Sequence, residues 1–491
     1  MPLRPYDQDQ MFLLPPSLNE WVMHDHPARA FSEIIDRIDT TAFREPKEEG
    51  RPAYHPKMML KVMLWGYATG IRSSRKIEER LQQDIVFMWL AGLERPDFRT
   101  LCLFRSTNRE GIERVFTETI MIAQAMGMGS LGLVALDGSK VRANSGIDTF
   151  KKVEDWKKIL EGTKREVQRI LADVEQLDKQ EDRQYGEDRR GNELPQEMEE
   201  AKHRIEKIEE LIEKARELEK EDTARVSSTD MEASFMHKGS TSIPAYNAQL
   251  AVTEDQIIVY AGVTTEPVDV NQTKNAIETI EALTGETPAI LVADTGYSGG
   301  ENLRYLEEKD IDGYIPEEGE RHIGKSKRPR AHLFHKESFH YNEHSDYYVC
   351  PQGNTLRPAA ANHVKTKYSA KDITTYRTER GVCAQCSQIQ QCTPNTSMGR
   401  SITRDGYELY RERMRQKIAT GEGRTIYGKR KCLVEPVFGQ IKTRGGFVQF
   451  LLRGLAKVKI EWKITAIAHN MLKIITAIKR KERMLPALGW G

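Results

Sequence analysis

Two aspartates follow apolar segments that are typical of buried β-strands. Asp137 comes after residues 131–136 in LVALDGSKVRA, and Asp294 comes after residues 290–293 in ILVADTGYSGG. The functional groups of α/β proteins commonly lie at the carboxyl ends of strands. One aspartate in such a place is usually a turn former. Two in the same setting predict a shared site.

A third acid, Glu435 in KCLVEPVFGQIKTRGG, begins a predicted amphipathic helix in the most basic part of the chain. The alternative is an ordinary carboxylate at a helix N-terminus. Converging carboxylates repel one another unless cations neutralise them, and Mg²⁺ and Mn²⁺ take such oxygen ligands. Two metal ions can then activate water and stabilise the leaving oxygen of a phosphodiester. The basic residues around Glu435 would bind phosphates, and they are Arg430, Lys431, Lys442 and Arg444.

Three further acids compete for a place in this site. Asp230 lies just before one predicted strand, and Glu266 and Asp269 follow another. None of them ends an apolar strand. We therefore expect Asp230 and Asp269 to support the site through hydrogen bonds or substrate positioning more than as primary metal ligands.

The overall charge hides a strong partition along the chain. The 491 residues carry a net charge of +1, but residues 151–222 carry −6 and residues 421–491 carry +11. Residues 51–80 form a second basic region that contains Arg72 and Arg75. These two arginines are candidates for DNA contacts, and a solvated basic face is an equal alternative.

Length and composition exclude several classes of protein. The chain is long enough for about two to four domains. Its longest apolar runs fall below the roughly 18 residues of a membrane-spanning helix. Six cysteines are few for a secreted disulfide framework, and the N-terminus lacks a signal-peptide pattern. We expect a cytoplasmic protein without a membrane span.

Hydrophobic periodicity predicts helices flanking and interrupting a mixed α/β sheet. Residues 151–222 show heptad spacing with a break near residues 186–195, which predicts an antiparallel helical hairpin. Other helices are predicted at 57–67, 73–90, 98–126, 273–283, 411–417, 433–444 and 458–478. Strands are predicted at 131–136 and 290–293, with two more between 246 and 261.

Four cysteines could form one metal site. Cys383 and Cys386 make a CxxC pair, Cys392 follows, and Cys350 supplies a fourth thiol after a long gap. Four such thiolates are typical of structural zinc. Reduced thiols without a metal are the alternative.

Four ordered blocks resemble the DDE transposases of bacterial insertion sequences. They are LDGSKVRANSG, PAYNAQLAVTEDQIIVYAGVTTEPVD, VADTGYSGGENL and VEPVFGQIKTRGGFVQFLLRG. Residues 31–92 resemble the helical N-terminal domain of one branch of that family, and Cys-rich insertions before the catalytic glutamate occur there as well.

This resemblance implies a ribonuclease H-like catalytic domain in which Asp137, Asp294 and Glu435 bind Mg²⁺ or Mn²⁺. It also implies a tyrosine and an arginine before the glutamate and a lysine seven residues after it. Lys442 matches that lysine. Tyr427 and Arg430 match with a shift of one residue, because Lys431 has the usual arginine spacing, so the choice between Arg430 and Lys431 stays open.

The resemblance also divides the chain into five parts. These are a helical N-terminal DNA-binding domain (1–127), a catalytic core (128–150 and 231–317), an inserted helical hairpin (151–230), a Cys-rich, zinc-type insertion (318–405), and the glutamate helix with basic C-terminal helices (406–491).

The implied function is a DNA transposase that binds the ends of its mobile element, hydrolyses phosphodiester bonds and joins the 3′ ends to target DNA. Two ends must be held together, so we expect a homodimer or larger assembly on DNA, in the bacterial cytoplasm at the nucleoid. Two alternatives stay open: a metal-dependent nuclease without strand transfer, and a non-catalytic DNA-binding relative.

Overall fold

The computed structural model describes residues 17–43, 52–185, 196–218, 224–317, 334–365, 370–393 and 395–480. The fold is mixed α/β, as the sequence predicts, and it is consistent with the ribonuclease H-like fold of DDE transposases. Parts of the predicted hairpin, the Cys-rich insertion and both termini lie outside the described residues.

Among the described residues, seven helices precede the first strand. They are α1 (Leu18–Trp21), α2 (Pro27–Arg37), α3 (Pro56–Ala68), α4 (Ser74–Gln83), α5 (Ile85–Ala91), α6 (Phe98–Thr107) and α7 (Arg109–Ala125). Periodicity predicted one helix at 73–90 and one at 98–126, and both predictions are wrong. Asp84 ends α4 and caps α5 by accepting a hydrogen bond from the Val86 amide at 2.9 Å. Asn108 has non-helical dihedral angles and separates α6 from α7.

In the described residues, the central sheet has six strands: β1 (Leu133–Arg142), β4 (Ser234–Lys238), β5 (Thr241–Thr253), β6 (Ile258–Thr264), β7 (Ile290–Ala293) and β8 (Asp312–Tyr314). Their order is β4-β5-β1-β7-β8, with β6 paired to β5. Strands β1 and β7 are parallel, as are β7 and β8, whereas β1 and β5 are antiparallel. The short strands β2 (Phe150–Lys152) and β3 (Arg225–Ser227) pair separately.

Strand β1 continues past Asp137, which corrects the prediction that it ends there. Its pairing with β5 runs as far as Arg142 opposite Ala245. Helices α10 (Gln272–Thr284) and α11 (Gly300–Glu308) follow β6 and β7.

Two long helices, α8 (Val153–Tyr185) and α9 (Gln196–Glu217), pack against each other. Lys164 pairs with Glu209 at 2.5 Å, and Trp156, near the start of α8, packs in one apolar cluster with Ala215, near the end of α9. These contacts run in opposite directions along the two helices, so the helices are antiparallel.

The Cys-rich segment contains an antiparallel five-stranded sheet with its own core. Its strands are β9 (His340–Asn342), β10 (Tyr347–Val349), β11 (Thr355–Lys365), β12 (Ala370–Arg377) and β13 (Ser401–Asp405), in the order β13-β12-β11-β10-β9. A short helix, α12 (Ile389–Cys392), precedes β13. The core consists of Phe339, Tyr348, Leu356, Tyr376 and Ile402.

Three helices follow β13 in the described residues: α13 (Glu408–Ala419), α14 (Gly421–Thr443) and α15 (Leu455–Lys479). Helix α15 docks on the central sheet, where Asn470 exchanges two hydrogen bonds with the Ile258 backbone, at 2.8 and 2.9 Å. On its other side Lys463 pairs with Glu113 of α7 at 2.9 Å. One hydrophobic core therefore includes the N-terminal helices, the central sheet and α15. None of the helices in the described ranges is long and apolar enough to cross a membrane.

Candidate active site

Asp137 and Asp294 lie side by side because of strand register. The parallel pairing of β1 and β7 places Leu136 opposite Ala293, so the next residue of each chain segment is an aspartate. Asp294 Oδ1 accepts a hydrogen bond from the Gly296 amide at 2.8 Å, and Asp137 Oδ1 accepts one from the Gly138 amide at 2.9 Å. Two carboxylates thus lie side by side where β7 ends and β1 continues.

Glu435, on α14, is connected to Asp137 by hydrogen bonds from one arginine. Arg430 Nη1 donates to Asp137 Oδ2 at 3.0 Å, and Arg430 Nη2 donates to Glu435 Oε1 at 3.3 Å. Arg430 is buried, whereas the Glu435 side chain is 52% exposed. The Arg430 Nε is buried and has no hydrogen-bond partner among the residues that the structure describes.

The electrostatics of Asp137 favour a nearby cation. The pKa of Asp137 is raised to about 6, mainly by burial and also by the charges of Asp294 and Asp269, while the Arg430 guanidinium and the hydrogen bond from the Gly138 amide oppose the rise. A site that crowds acids in this way gains free energy from positive charge.

Glu435 lies inside α14, not at its start, because the helix begins at Gly421. The next residue, Pro436, has no amide hydrogen, so the Cys432 carbonyl loses its helical donor. Gln256 Nε2 supplies a hydrogen bond to that carbonyl at 3.1 Å from the turn between β5 and β6. This contact holds the helix against the sheet beside Glu435.

Lys442 also faces the site. It follows Glu435 by seven residues, about two helical turns, and therefore shares its face of α14. Its Nζ donates to Ser139 Oγ at 2.9 Å, and Ser139 lies two residues after Asp137 on the same face of β1. Burial and the nearby Lys238 lower the pKa of Lys442, and Asp137 raises it. Arg444, at the end of α14, is exposed.

The two adjacent basic residues before Glu435 point differently. Arg430 contacts both carboxylates, whereas Lys431 is exposed and has no ion pair among the described residues. Tyr427 lies one turn before Arg430, is partly buried, and contributes to the electrostatic environment of that guanidinium. The structure thus brings Arg430, and not Lys431, to the acids.

Asp269 borders the site and is tightly held. Asn247 Nδ2 and Gln249 Nε2 donate to Asp269 Oδ1 at 2.6 and 2.7 Å, and Lys140 Nζ lies 3.5 Å from Oδ2. The Tyr297 hydroxyl donates to Gln249 Oε1 and orients that amide. Sequence reasoning missed Asn247 and Gln249, although two polar residues spaced by two in a buried strand are a detectable signal.

The other competing acids lie outside this cluster. Asp230 accepts hydrogen bonds from the Tyr246 hydroxyl at 2.6 Å and from the Gly454 amide at 3.1 Å. Glu266 accepts from the side chains of Asn271 and Gln272. In the described part of the chain, neither Asp230 nor Glu266 forms a hydrogen bond with Asp137, Asp294 or Glu435.

Arg72 and Arg75 have different environments. Arg72 is 8% exposed and donates to Glu461 Oε1 and to the carbonyls of Gln449 and Gly446, each at 3.0 Å. Its guanidinium is therefore committed to interior contacts. Arg75 is exposed, with its guanidinium 4.7 Å from the centre of the Phe98 ring.

The four cysteines Cys350, Cys383, Cys386 and Cys392 line one small cavity at the base of the five-stranded sheet. Burial raises the pKa of Cys392, and the other three sulfurs contribute to that rise. Within the described ranges, however, no group of three or more His, Cys, Asp or Glu side chains is arranged to hold a metal ion. Neither the four thiols nor the three acids form such a group in the described residues. Among the acids, Asp137 and Glu435 are bridged by the Arg430 guanidinium.

Two protein families match segments of this chain. Residues 349–475 match the family described as a transposase DDE domain, and residues 16–107 match a transposase domain, DUF772. The first match includes Glu435 but begins after Asp137 and Asp294. No curated protein matches the chain. Two segments of the chain are thus similar to transposase domains, which is consistent with a DDE-type transposase of an insertion sequence.

Proposed function

We propose that this protein cuts the ends of its mobile element and joins them to target DNA, using Mg²⁺ or Mn²⁺ held by Asp137, Asp294 and Glu435. Its two transposase domains indicate a DNA transposase. The observation that carries the proposal is the register of β1 and β7, which sets Asp137 beside Asp294 at the point that Arg430 links to Glu435.

The donor chemistry of the three residues fits a divalent cation. Their carboxylate oxygens are the ligands that Mg²⁺ and Mn²⁺ prefer. Burial, together with the neighbouring charges of Asp294 and Asp269, raises the pKa of Asp137. When bound, the metal would supply activation of water and stabilisation of the leaving oxygen. Arg430 must then give up at least part of its contact with Asp137 and Glu435.

The chain's own cations would hold the DNA. Arg430 and Lys442 flank the acids and are the proposed contacts to the phosphate that reacts. Arg444, Tyr427 and Arg75 are proposed for flanking DNA, because they are at least partly exposed. Asp269 would position the site without binding the metal, since Asn247 and Gln249 already occupy one of its oxygens.

A labelled DNA that carries the element's own ends tests this function. Wild-type protein with Mn²⁺ or Mg²⁺ is expected to cleave the ends and to join pre-cleaved ends to a second DNA. Asp294→Ala, Asp137→Ala and Glu435→Gln should each lose both activities, while Asp148→Ala, at an exposed aspartate outside the site, should retain them.

Other outcomes separate the alternatives. Cleavage without joining would establish a nuclease. A folded wild-type protein that binds the ends but never cuts them would be a non-catalytic DNA-binding relative. Cleavage that survives in all three variants would contradict the assignment of the acids.

Three features stay predictions of the sequence. They are zinc at the four cysteines, a dimer or larger assembly on DNA, and a cytoplasmic location at the nucleoid. The shared cavity of the thiols supports the first. The need to hold two DNA ends supports the second.

A further inference from the structure

Strands β11 and β12 form an antiparallel pair that is longer than the sheet around it. Their register runs from Arg357 opposite Arg377 to Lys365 opposite Ala370. Strand β10 pairs with β11 only at Thr355 and Leu356, and β13 pairs with β12 only from Ile373 to Arg377. We call the two-stranded segment formed by residues 357–365 and 370–377 the ribbon.

The ribbon is exposed over much of its length. Residues 357–363 are all exposed on β11, in contrast to the buried Leu356 just before them. Residues 358–361 are proline and three alanines, so no bulky side chain separates this backbone from a partner. The outer edge of β11 has no neighbouring strand there in the described part of the chain. Exposed edges of this kind are sites where another molecule can bind.

The charge of the ribbon is strongly positive. The ribbon contains four basic residues and one acidic residue, a net charge of +3 in a chain whose total is +1. Arg357 lies directly opposite Arg377, and both are exposed. Neither forms an ion pair with any residue that the structure describes. Like charges directly opposite each other destabilise a sheet. An anion bound between Arg357 and Arg377 would reduce this repulsion.

The base of the ribbon is fixed to the catalytic part of the chain by buried ion pairs. Glu408 of α13 is 3% exposed and pairs with Lys336, just before β9, at 2.8 Å. Arg404 of β13 pairs with Glu412 of α13 at 2.7 Å. The ribbon therefore projects from a sheet that ion pairs hold against α13.

We infer that the ribbon binds double-stranded DNA, with Arg357 and Arg377 contacting backbone phosphates. The inference rests on the proposed function, because a transposase supplies the DNA. A two-stranded ribbon is of the right width to enter the major groove, and closely spaced arginines match phosphate oxygens.

The dependence of DNA affinity on salt tests this inference. The probe is a fluorescein-labelled duplex of random sequence, titrated with full-length protein at several KCl concentrations. Each lost phosphate contact makes the slope of log K against log salt shallower by about 0.9. Arg357→Ala combined with Arg377→Ala should therefore reduce the slope by about twice that amount.

A matched control is Arg216→Ala, at an exposed arginine of the helical hairpin that pairs with Glu213. It should leave the slope unchanged. Circular dichroism and the thermal midpoint, measured for the double variant and for the control, check that both proteins fold.

The outcomes distinguish the ribbon from the proposed function. An unchanged slope in a folded double variant would overturn the ribbon inference, while end cleavage by the wild type would still support the transposase. Weaker binding of single-stranded DNA or RNA alone, with duplex binding unchanged, would also overturn it. If the wild type cleaves no ends, the proposed function fails whatever the ribbon does.

Discussion

At the scale of single residues, the most informative side chain is Arg430. It is a buried cation that joins a strand aspartate to a helix glutamate, with distances of 3.0 and 3.3 Å. Its neighbour Lys431 has the spacing that the family resemblance favours, yet it faces away from the acids. A basic residue at the right sequence distance is therefore less informative than the helical face on which it lies.

The pair Arg430 and Lys431 allows a direct comparison by mutation. Arg430→Ala should reduce end cleavage by about 100-fold, the usual effect of removing one preorganised donor from a developing negative charge. Lys431→Ala should stay near the wild-type rate. Both are measured as single-turnover cleavage with Mn²⁺. A larger loss with Lys431→Ala would reverse the assignment.

At the scale of elements, the five-stranded sheet and α13 are joined by the Glu408 cluster. Burial alone would raise the pKa of Glu408, but hydrogen bonds and charges from Lys336 and Arg411 outweigh it and lower the pKa to about 2. Arg411 also pairs with Asp405 at the end of β13. The sheet is thus attached through charged contacts in which the ionised Glu408 carboxylate is one buried partner.

This attachment should depend on pH. Because the folded pKa of Glu408 is lower than its unfolded value, its stabilisation is present at neutral pH and is lost as pH falls from about 4.5 to about 2. Glu408→Gln should lower the free energy of unfolding by about 3 kcal/mol at pH 7, with the difference from wild type shrinking over that window.

Urea denaturation at a series of pH values measures this effect. Glu337→Gln is the control, since Glu337 is 65% exposed and lies 3.8 Å from Arg415. It should change the free energy of unfolding by no more than about 0.5 kcal/mol. An equal effect of both variants at every pH would contradict the role of Glu408.

At the scale of the whole molecule, the N-terminal helices and the catalytic sheet share one core. Arg72, next to the N-terminus of α4, pairs with the fully buried Glu461 of α15. Glu461 also accepts hydrogen bonds from the amides of Leu451 and Leu452, in the segment that follows α14. The N-terminal region therefore stabilises the chain around Glu435 and is not an independent appendage.

Arg72 and Arg75 make a matched pair for this conclusion. Arg72→Ala removes the ion-pair partner of the buried Glu461 carboxyl, so it should destabilise the protein by about 3–5 kcal/mol. Arg75→Ala, at an exposed position, should cost about 0.5 kcal/mol or less. Chemical denaturation, followed by circular dichroism, measures both. Equal small effects would show that the Arg72 contact contributes little.

Several elements were predictable because their signals are local. The apolar strand before Asp294 and the helix now defined as α15 were predicted within a few residues of their observed bounds. The breaks at Asp84 and Asn108 were not, because apolar periodicity continues across them. The start of α14 was placed too late, since its first turns are polar. Strand β11 of the five-stranded sheet gave no such signal, because its residues 357–363 are all exposed and show no alternation of buried and exposed positions.

The sequence by itself determined which chemical groups are present and in which order, because residue type and local periodicity are properties of neighbouring residues. It thereby indicated three acids, a basic C-terminal region and a mixed α/β fold. The tertiary structure decided which groups meet. Strand register set Asp137 beside Asp294, and the packing of α14 chose Arg430 over Lys431 and Lys442 over Arg444 for contact with the site. It also placed Arg72 in the core. These outcomes depend on contacts between distant segments, and the free energy of such contacts is not encoded in any short window of sequence.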